Sequence, residues 1–304
     1  MSLARPRRPR TTGVPLPAST SPGGPLPGGR FSGRRPRRDA VAVASLVLLI
    51  AVAVLAIVSP LLTEAATKQS ILDSLLPPGS PGHPLGTDEL GRDVLLLTLA
   101  GTGSAVVGPV VIAAGSMVLA VIFGTLAGYL GGGVDSVIGR IVDVLLSLPV
   151  MLVAIVVAGI FGAGYWVTVA MLIVLFCPSD IRIVRAGVTE QAPRPYVEAA
   201  QMLSLSPARI MYRHIVPNVW PLILTNLMLN IGIALVTLSS LSFLGIGVAP
   251  GTPDWGRQIS DGRAVIVDNP AMLLVPSLLI ILVTMAINLL GDQFGERLRE
   301  RGLE

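Results

Sequence analysis

The strongest constraint on the fold of this chain is a series of long apolar runs that carry almost no charge. No charged residue occurs in residues 40–62, and none lies between Asp93 and Asp135. About 20 consecutive apolar residues are enough for a helix to cross the hydrocarbon core of a bilayer. Charged residues make up only 13% of the chain, against about a quarter in a typical soluble domain. The sequence therefore predicts an all-α integral membrane protein.

Six of these runs are predicted to span the membrane. They cover residues 40–62, 104–130, 138–161, 165–185, 218–246 and 271–290. Because proline removes a backbone donor and clashes with the preceding turn, Pro149 is expected to kink the third span. The spans divide the chain into four parts: a basic tail (1–38), a first span with an external segment (39–103), a core of five spans (104–291) with a polar loop at 187–217, and a terminal tail (292–304).

Basic residues are distributed unevenly between the two sides of the predicted spans. Nine of the 22 lie in the first 38 positions, a Pro-, Gly- and Ser-rich segment that is predicted to be disordered. Segments 63–103 and 247–270 hold only four, and the other 18 fall on the opposite side. Since basic residues accumulate in the cytoplasm, both termini and the loop at 187–217 are predicted to be cytoplasmic. RRPRR could also begin an export signal, but residues 40–62 exceed the usual apolar core of a signal peptide, which favours a retained anchor.

The loop at 187–217 contains a polar stretch, PYVEAAQMLSLSPARIMYRHIVPN, between two apolar runs. Pro195 suits the first position of a helix, and Glu198 would then lie in the first turn, where negative charge is favoured. Ser206 and Pro207 are predicted to start a second short helix. Helical spacing puts a small, smooth set of residues on one face, namely Ala199, Ala200 and Leu203. That face fits either a cleft in another protein or the membrane surface.

Two further polar segments hold candidate contact residues. In LGTDELGRD, Asp88, Glu89 and Arg92 would either cap the short helix before the second span or contact an external partner. In PDWGRQISDGR, Trp255 would either make such a contact or anchor the chain at the membrane interface. The spacing of the carboxylates does not match a calcium loop.

The spans themselves offer few polar candidates, and ionisable residues are nearly absent from them. Asn226 and Asn230 lie four residues apart on the fifth span, so they share a face. They would form either an interhelical hydrogen bond or part of a translocation path. The single cysteine, Cys177, is expected to be a buried span residue. We expect no catalytic residues, no metal site and no cofactor, and Lys68, the only lysine, does not fit a phosphate-binding loop.

Four blocks of the sequence resemble one family. The stretch Glu198-Ala199-Ala200, followed by Ser204 and Ile215-Val216-Pro217, resembles the EAA loop of bacterial ABC-importer permeases. Ser204 stands where that loop usually has glycine, which weakens the expectation of a sharp turn there. The other blocks resemble the dipeptide/oligopeptide permeases, in their second-permease (DppC/OppC-like) branch; they are HPLGTDELGRDVL (83–95), SFLGIGVAPGTPDWGRQISDGR (242–263) and NLLGDQFGERLRERG (288–302).

This resemblance implies a type I ABC-importer permease fold in the bacterial inner membrane. The chain would form half of a pore for peptides, together with a second permease. Two cytoplasmic ATPases would bind ATP and Mg, and a binding protein outside would deliver the substrate. The residues that would couple the chain to an ATPase through a cytoplasmic coupling helix are Tyr196, Glu198, Ala199, Ala200, Leu203, Ser204, Ile215 and Pro217.

Two alternatives belong to other classes of membrane protein. A self-sufficient ion-coupled carrier would need carboxylates or basic residues within its spans, and this sequence offers almost none. A membrane scaffold that transports nothing would not need the family blocks in their order. Among importers the substrate is open, because relatives carry dipeptides, longer peptides, glutathione, nickel complexes or haem; peptides are the expected choice.

Overall fold

The computed structural model of the protein describes residues 36–162, 164–249 and 251–301, with side chains described from residue 40 to 295. The predicted disordered tail falls outside the described residues up to position 35, but Pro36–Arg38 already belong to the first helix. Within these ranges the regular structure is helical, apart from two isolated β-bridges. The α-helices are α1 (Pro36–Thr67), α2 (Val94–Ala100), α3 (Thr102–Leu130), α4 (Gly132–Leu146), α5 (Val150–Phe161), α6 (Tyr165–Gln191), α7 (Pro195–Met202), α8 (Pro207–Arg209), α9 (Val216–Phe243), α10 (Trp255–Gly262) and α11 (Ala271–Arg301).

In the part of the chain that the structure describes, five helical stretches are long and apolar enough to cross a membrane. They are Ala40–Thr67, Val94–Leu130, Tyr165–Gln191, Pro207–Phe243 and Ala271–Gly295. A sixth crossing exists only if α4 and α5 are counted together, although their axes meet at 83°. The all-helical membrane fold predicted from the apolar runs is therefore confirmed, with one of the six spans broken.

The prediction of a single kinked third span is wrong in its geometry. The helix ends at Leu146 and restarts at Val150, with Pro149 in extended conformation before the new helix. Proline cannot donate the next helical hydrogen bond, and it also disfavours helical geometry at the residue before it, Leu148. Both effects act at the same place, so the helix stops there instead of bending.

Glycines on α3 allow this helix to approach α6 closely. A Cβ atom on Gly124 would lie 3.0 Å from the carbonyl oxygen of Ile181, and one on Gly128 would lie 2.8 Å from that of Arg185. The two glycines are four residues apart, a spacing that brings helix backbones together in membranes. α3 and α6 consequently form the most extensive helix pair of the described chain.

Two ion pairs hold α4 against α6. Arg185 contacts Asp135 at 2.6 Å, and Arg182 contacts Asp143. Three of the four side chains are exposed and Asp135 is half-buried, so each pair contributes little to stability by itself. The pairs fix which face of α4 points towards α6, and its other face is left apolar and exposed.

The largest apolar cluster among the described residues joins the C-terminal halves of α3 and α6 and the N-terminal part of α9 to the segment that connects α6 to α9. It contains Cys177, as predicted for a buried span residue, together with Ile181, Val184 and Val188 of α6. Residues of α7 and of the turns before α9 pack into the same cluster. The segment that connects α6 to α9 is thus part of the folded core and not a loose loop.

Candidate functional site

The predicted coupling residues lie in residues 194–217, which we call the coupling segment. Its first helix, α7, begins with Pro195 at the first helical position, as predicted. Val197 and Ala200 are buried in the large apolar cluster, whereas Glu198 and Ala199 are exposed. The buried side fixes the helix to the protein, and the exposed side is available for a partner.

The predicted common face of Ala199, Ala200 and Leu203 is wrong. Successive residues of an α-helix are separated by about 100° around the axis, so Ala199 and Ala200 point in different directions. Ala200 packs inward, and Leu203 is 75% exposed at the end of the helix. Met202, which the sequence analysis did not single out, is 84% exposed. The exposed surface, here called the tip, consists of Glu198, Ala199, Met202 and Leu203.

Ser204 adopts a sharp turn, although the presence of serine in place of the usual glycine weakened the expectation of one. Its φ is 55°, in the left-handed region. The amide of Ser204 donates to the carbonyl of Gln201 at 2.9 Å, and that of Leu205 donates to the carbonyl of Ala200 at 3.3 Å. This pair of bonds is the Schellman arrangement that closes many helices, usually with glycine in the left-handed position. The turn is therefore kept at the cost of strain at a residue with a side chain.

After the turn the chain returns directly into α9. Pro207 occupies a first helical position as predicted, but the Ser206 side chain makes no capping hydrogen bond. A π-helix, Ile210–Ile215, follows and runs into α9 without a break. Ile215 is fully buried, whereas Pro217 is exposed. Ile215 is thus an internal anchor of the segment.

Tyr196 links the coupling segment to the end of α6. Its hydroxyl donates to the side-chain oxygen of Gln191 at 3.0 Å. Partial burial raises the pKa of the Tyr196 phenol, so this group stays a neutral donor near pH 7. It supports the turn between α6 and α7.

Asn226 and Asn230 share a face of α9, as predicted, and both bind a buried carboxylate. Their amide nitrogens donate to Oδ1 of Asp180 on α6, at 2.7 Å and 2.6 Å. Ser116 on α3 donates to Oδ2 of the same side chain at 2.7 Å. We call these four residues the polar hub. The interhelical hydrogen bond is therefore present, while a role in lining the path stays a prediction.

Asp180 is the functional candidate that the sequence analysis missed. It is 1% exposed. The predicted fourth span ended at Arg185 with a polar last turn, but α6 continues to Gln191, so Asp180 lies well inside the helix. The available signal was the asparagine pair itself, because two stacked buried amides need an acceptor.

Residues 68–93, here called the loop segment, use their charges internally. Asp88 and Arg92 form a buried ion pair at 2.6 Å, and Asp88 also accepts from the amides of Leu90 and Arg92. The cap of α2 is Asp93, which accepts from the amide of Leu96 at 2.9 Å and contacts His83 Nδ1 at 2.8 Å. The expectation that Asp88 or Glu89 caps this helix is wrong, because the helix begins only after Asp93.

Trp255 is buried and is not an interfacial anchor. It is 1% exposed, and its indole nitrogen donates to the carbonyl of Thr98 at 2.9 Å. Beside it, Asp254 caps α10 and accepts from Ser104, and burial raises the pKa of the Asp254 carboxyl. Of the four candidate contact residues, Asp88, Glu89, Arg92 and Trp255, Glu89 alone is exposed.

Residues 120–301 match the family model of the binding-protein-dependent transport system inner membrane component. This range contains the coupling segment, three of the four hub residues (Asp180, Asn226 and Asn230) and both of the last long spans. The chain belongs to this family. It is a permease subunit of an ABC importer, as its four sequence blocks predicted.

Several curated relatives align over most of the chain. The glutathione transport system permease protein GsiD of Pectobacterium atrosepticum is 36% identical over 262 residues, which cover 85% of this chain and 86% of that protein. The dipeptide transport system permease protein DppC of Bacillus subtilis is 34% identical, covering 85% of this chain and 81% of that protein. DppC of Haemophilus influenzae is 31% identical, with 83% and 87% covered.

The fold is similar to a solved ABC-importer structure. A chain of the MetNI methionine ABC transporter, in inward-facing conformations, superimposes with a TM-score of 0.57. The match covers 67% of this permease and 96% of that chain, at 17% sequence identity. This similarity supports the predicted type I permease fold.

Proposed function

We propose that this permease forms half of the translocation pore of an ATP-driven importer of short peptides. The relatives that align over most of the chain are named for dipeptide and glutathione transport, and both substrates are small peptides. The pore would be completed by a second permease. A substrate-binding protein outside the membrane would deliver the peptide.

Coupling to ATP hydrolysis takes place through the tip of the coupling segment. The observation that carries this proposal is the exposure of Met202 and Leu203, two large apolar side chains, at the end of a helix whose other face is anchored in the core. Burying one such side chain contributes about 1.5–3 kcal/mol. A groove on one of two cytoplasmic ATPases, which bind ATP and Mg, would cover the tip.

Charge reversal at the tip tests this function. Glu198→Lys places the wrong charge in the contact, where removing one buried charged partner typically costs about 2–5 kcal/mol. We expect the assembled importer in nanodiscs to lose its ATPases and its substrate-stimulated hydrolysis. Glu64→Lys, which reverses an exposed acid outside the candidate contact residues, is the matched control. If the tip lies on lipid instead, Glu198→Lys would strengthen binding to anionic bilayers and leave the ATPases in place.

The orientation in the membrane is part of the same proposal. The excess of basic residues supports cytoplasmic termini and a cytoplasmic coupling segment. In a Cys177→Ser background, an impermeant thiol reagent should label Glu89→Cys from outside and Ser206→Cys only from inside. Labelling of both cysteines from the same side would contradict this orientation.

Asp180 does not turn the permease into an ion-coupled carrier. Such a carrier needs a carboxylate that exchanges ions with the two sides of the membrane. Both Asp180 oxygens instead accept hydrogen bonds from the chain itself, and the side chain is buried. This arrangement supports a role inside the permease.

A further inference from the structure

The polar hub contains an ionisable side chain where charge is costly. Among the described residues of the long spans, Asp180 is the only buried acidic or basic residue. An ionisable side chain at such a place is expensive and usually has a function. Its partners here are three neutral donors, Ser116, Asn226 and Asn230. These hydrogen bonds join three helices, α3, α6 and α9, at one point.

The polar hub ties α6 to α9, and the coupling segment joins the same two helices at their other ends. We call this closed arrangement of α6, the coupling segment, α9 and the hub the frame. From Asp180, α6 runs eleven residues to Gln191, and α7 begins a few residues later. On the return side, α9 runs ten residues from Val216 to Asn226. At 1.5 Å per residue the two sides are about 15–17 Å long. The hub therefore ties α6 and α9 together at about the same distance, along each helix axis, from the coupling segment.

The interior of this frame is filled and leaves little room for the two sides to slide. Val184 and Val188 of α6 and Val219 and Ile223 of α9 are all buried in one apolar cluster. Val197 of α7 packs into the same cluster. The hydrogen bonds to Asp180 add a directional constraint to this packing, because they require both amides at fixed positions along the helix axis.

We propose that Asp180 is a positioning residue that fixes the register of α6 against α9. Because α6 and α9 then do not slide past each other, a displacement of the coupling segment is transmitted to the part of α9 beyond Asn230. This proposal rests on the function proposed above, since it assumes that the coupling segment is displaced by an ATPase.

Two substitutions of similar size separate the hydrogen bonds from the charge. Asp180→Asn keeps an oxygen that accepts from both asparagines and adds an amide that donates to Ser116 Oγ. Asp180→Leu keeps the bulk but leaves Asn226, Asn230 and Ser116 without their acceptor. Asn226→Ala is a milder variant, because Asn226 is only partly buried and Asn230 still binds Asp180.

The experiment compares these variants in the complete importer, reconstituted in proteoliposomes with its ATPases and binding protein. The readouts are ATPase copies per permease and molecules of a dipeptide imported per ATP hydrolysed. For Asp180→Leu we expect the ATPases to be retained and the import per ATP to fall about 2- to 30-fold, the range seen when coupling networks are altered. Asp180→Asn should stay close to the wild-type ratio.

Each remaining outcome decides the proposal. A wild-type ratio in assembled Asp180→Leu overturns it, and so does a loss in Asp180→Asn as large as that in Asp180→Leu. If Asp180→Leu does not assemble, the double variant Asn226→Ala/Asn230→Ala takes its place, because it removes both donors of α9, and a wild-type ratio there overturns the proposal. Loss of function at the tip is distinguishable, because Glu198→Lys acts on ATPase retention, which the hub variants leave in place.

Discussion

The loop segment and the coupling segment are both short polar connections between spans, yet they place their charged side chains differently. In the loop segment, Asp88, Arg92 and Asp93 are buried and paired within the chain. In the coupling segment the buried side chains are apolar, and the exposed ones include Met202 and Leu203. A polar group that is buried and bonded is part of the protein's own structure, whereas exposed clustered apolar side chains indicate a surface that another molecule covers. The buried charges of the loop segment are therefore satisfied within the chain, although its Ile71 and Leu72 are 86% and 97% exposed, and the tip of the coupling segment is the surface that we propose an ATPase covers.

The largest effect should come from breaking the loop segment. Asp88→Ala leaves the guanidinium of Arg92 buried without its carboxylate, and such a change costs about 3–5 kcal/mol. We expect a clear fall in the melting temperature of the purified permease. Glu89→Ala, at the adjacent exposed position, should change the stability by less than about 0.5 kcal/mol. Equal melting temperatures for the two variants would contradict the internal role of Asp88.

The next effect concerns binding and leaves folding intact. Leu203→Ala removes an exposed apolar side chain from the tip, so the affinity for the ATPase should fall about 10- to 100-fold, in line with 1.5–3 kcal/mol per buried side chain. The melting temperature of the permease alone should not change. The matched variant is Ile210→Ala, a buried position in the same segment. It should cost about 2–5 kcal/mol of stability. A stability loss in Leu203→Ala would show that the tip packs on the permease itself.

Adjacent alanines of α7 sharpen the same comparison within one helix. Ala200→Trp overfills the permease core and should destabilise it by about 1–3 kcal/mol or more. Ala199→Trp points outward and should leave the stability unchanged while the ATPases dissociate. Thermal unfolding and ATPase copy number, measured on both variants, check this. If the two variants have the same profile, the division of α7 into an inner and an outer face is incorrect.

The smallest effect is conformational. Ser204 in the coupling segment and Leu75 in the loop segment are the two described non-glycine residues with positive φ, at 55° and 56°. Glycine relieves that strain, so Ser204→Gly should stabilise the permease by about 1 kcal/mol. Leu75→Gly should gain less, since it also loses apolar contacts. A lower melting temperature for Ser204→Gly would mean that the Ser204 side chain makes a contribution larger than the strain.

The sequence predicted the parts of the fold that depend on composition. Apolar runs located the long helices, because the bilayer requires such runs wherever they occur. Their ends were less well predicted: α6 continues six residues beyond Arg185, because a helix does not end where hydropathy falls. The helix breaks because Pro149 lacks a backbone donor and also disfavours helical geometry at Leu148. The prediction of a single kink considered only the effect at Pro149 itself.

Burial in the polar segments could not be predicted, because it depends on partners far away in the chain. Arg92 reaches the carbonyl of Gly251, and Trp255 reaches the carbonyl of Thr98, across about half the length of the protein. Residue types alone therefore left Asp88, Arg92 and Trp255 as surface candidates. Asp180 was missed for the same reason, since its donors lie on two other helices.

The close contact between α3 and α6 has a consequence for how the chain is synthesised. Residues 131–164 separate the two helices, so the glycine face of α3 leaves the ribosome well before its partner exists. α4 and α5 must enter the membrane in the interval without occupying that face. α5 meets this requirement, because Ala154 is its only buried residue and the rest of the helix makes few contacts. We therefore expect the weakly packed α5 to leave this face of α3 free until α6 is made.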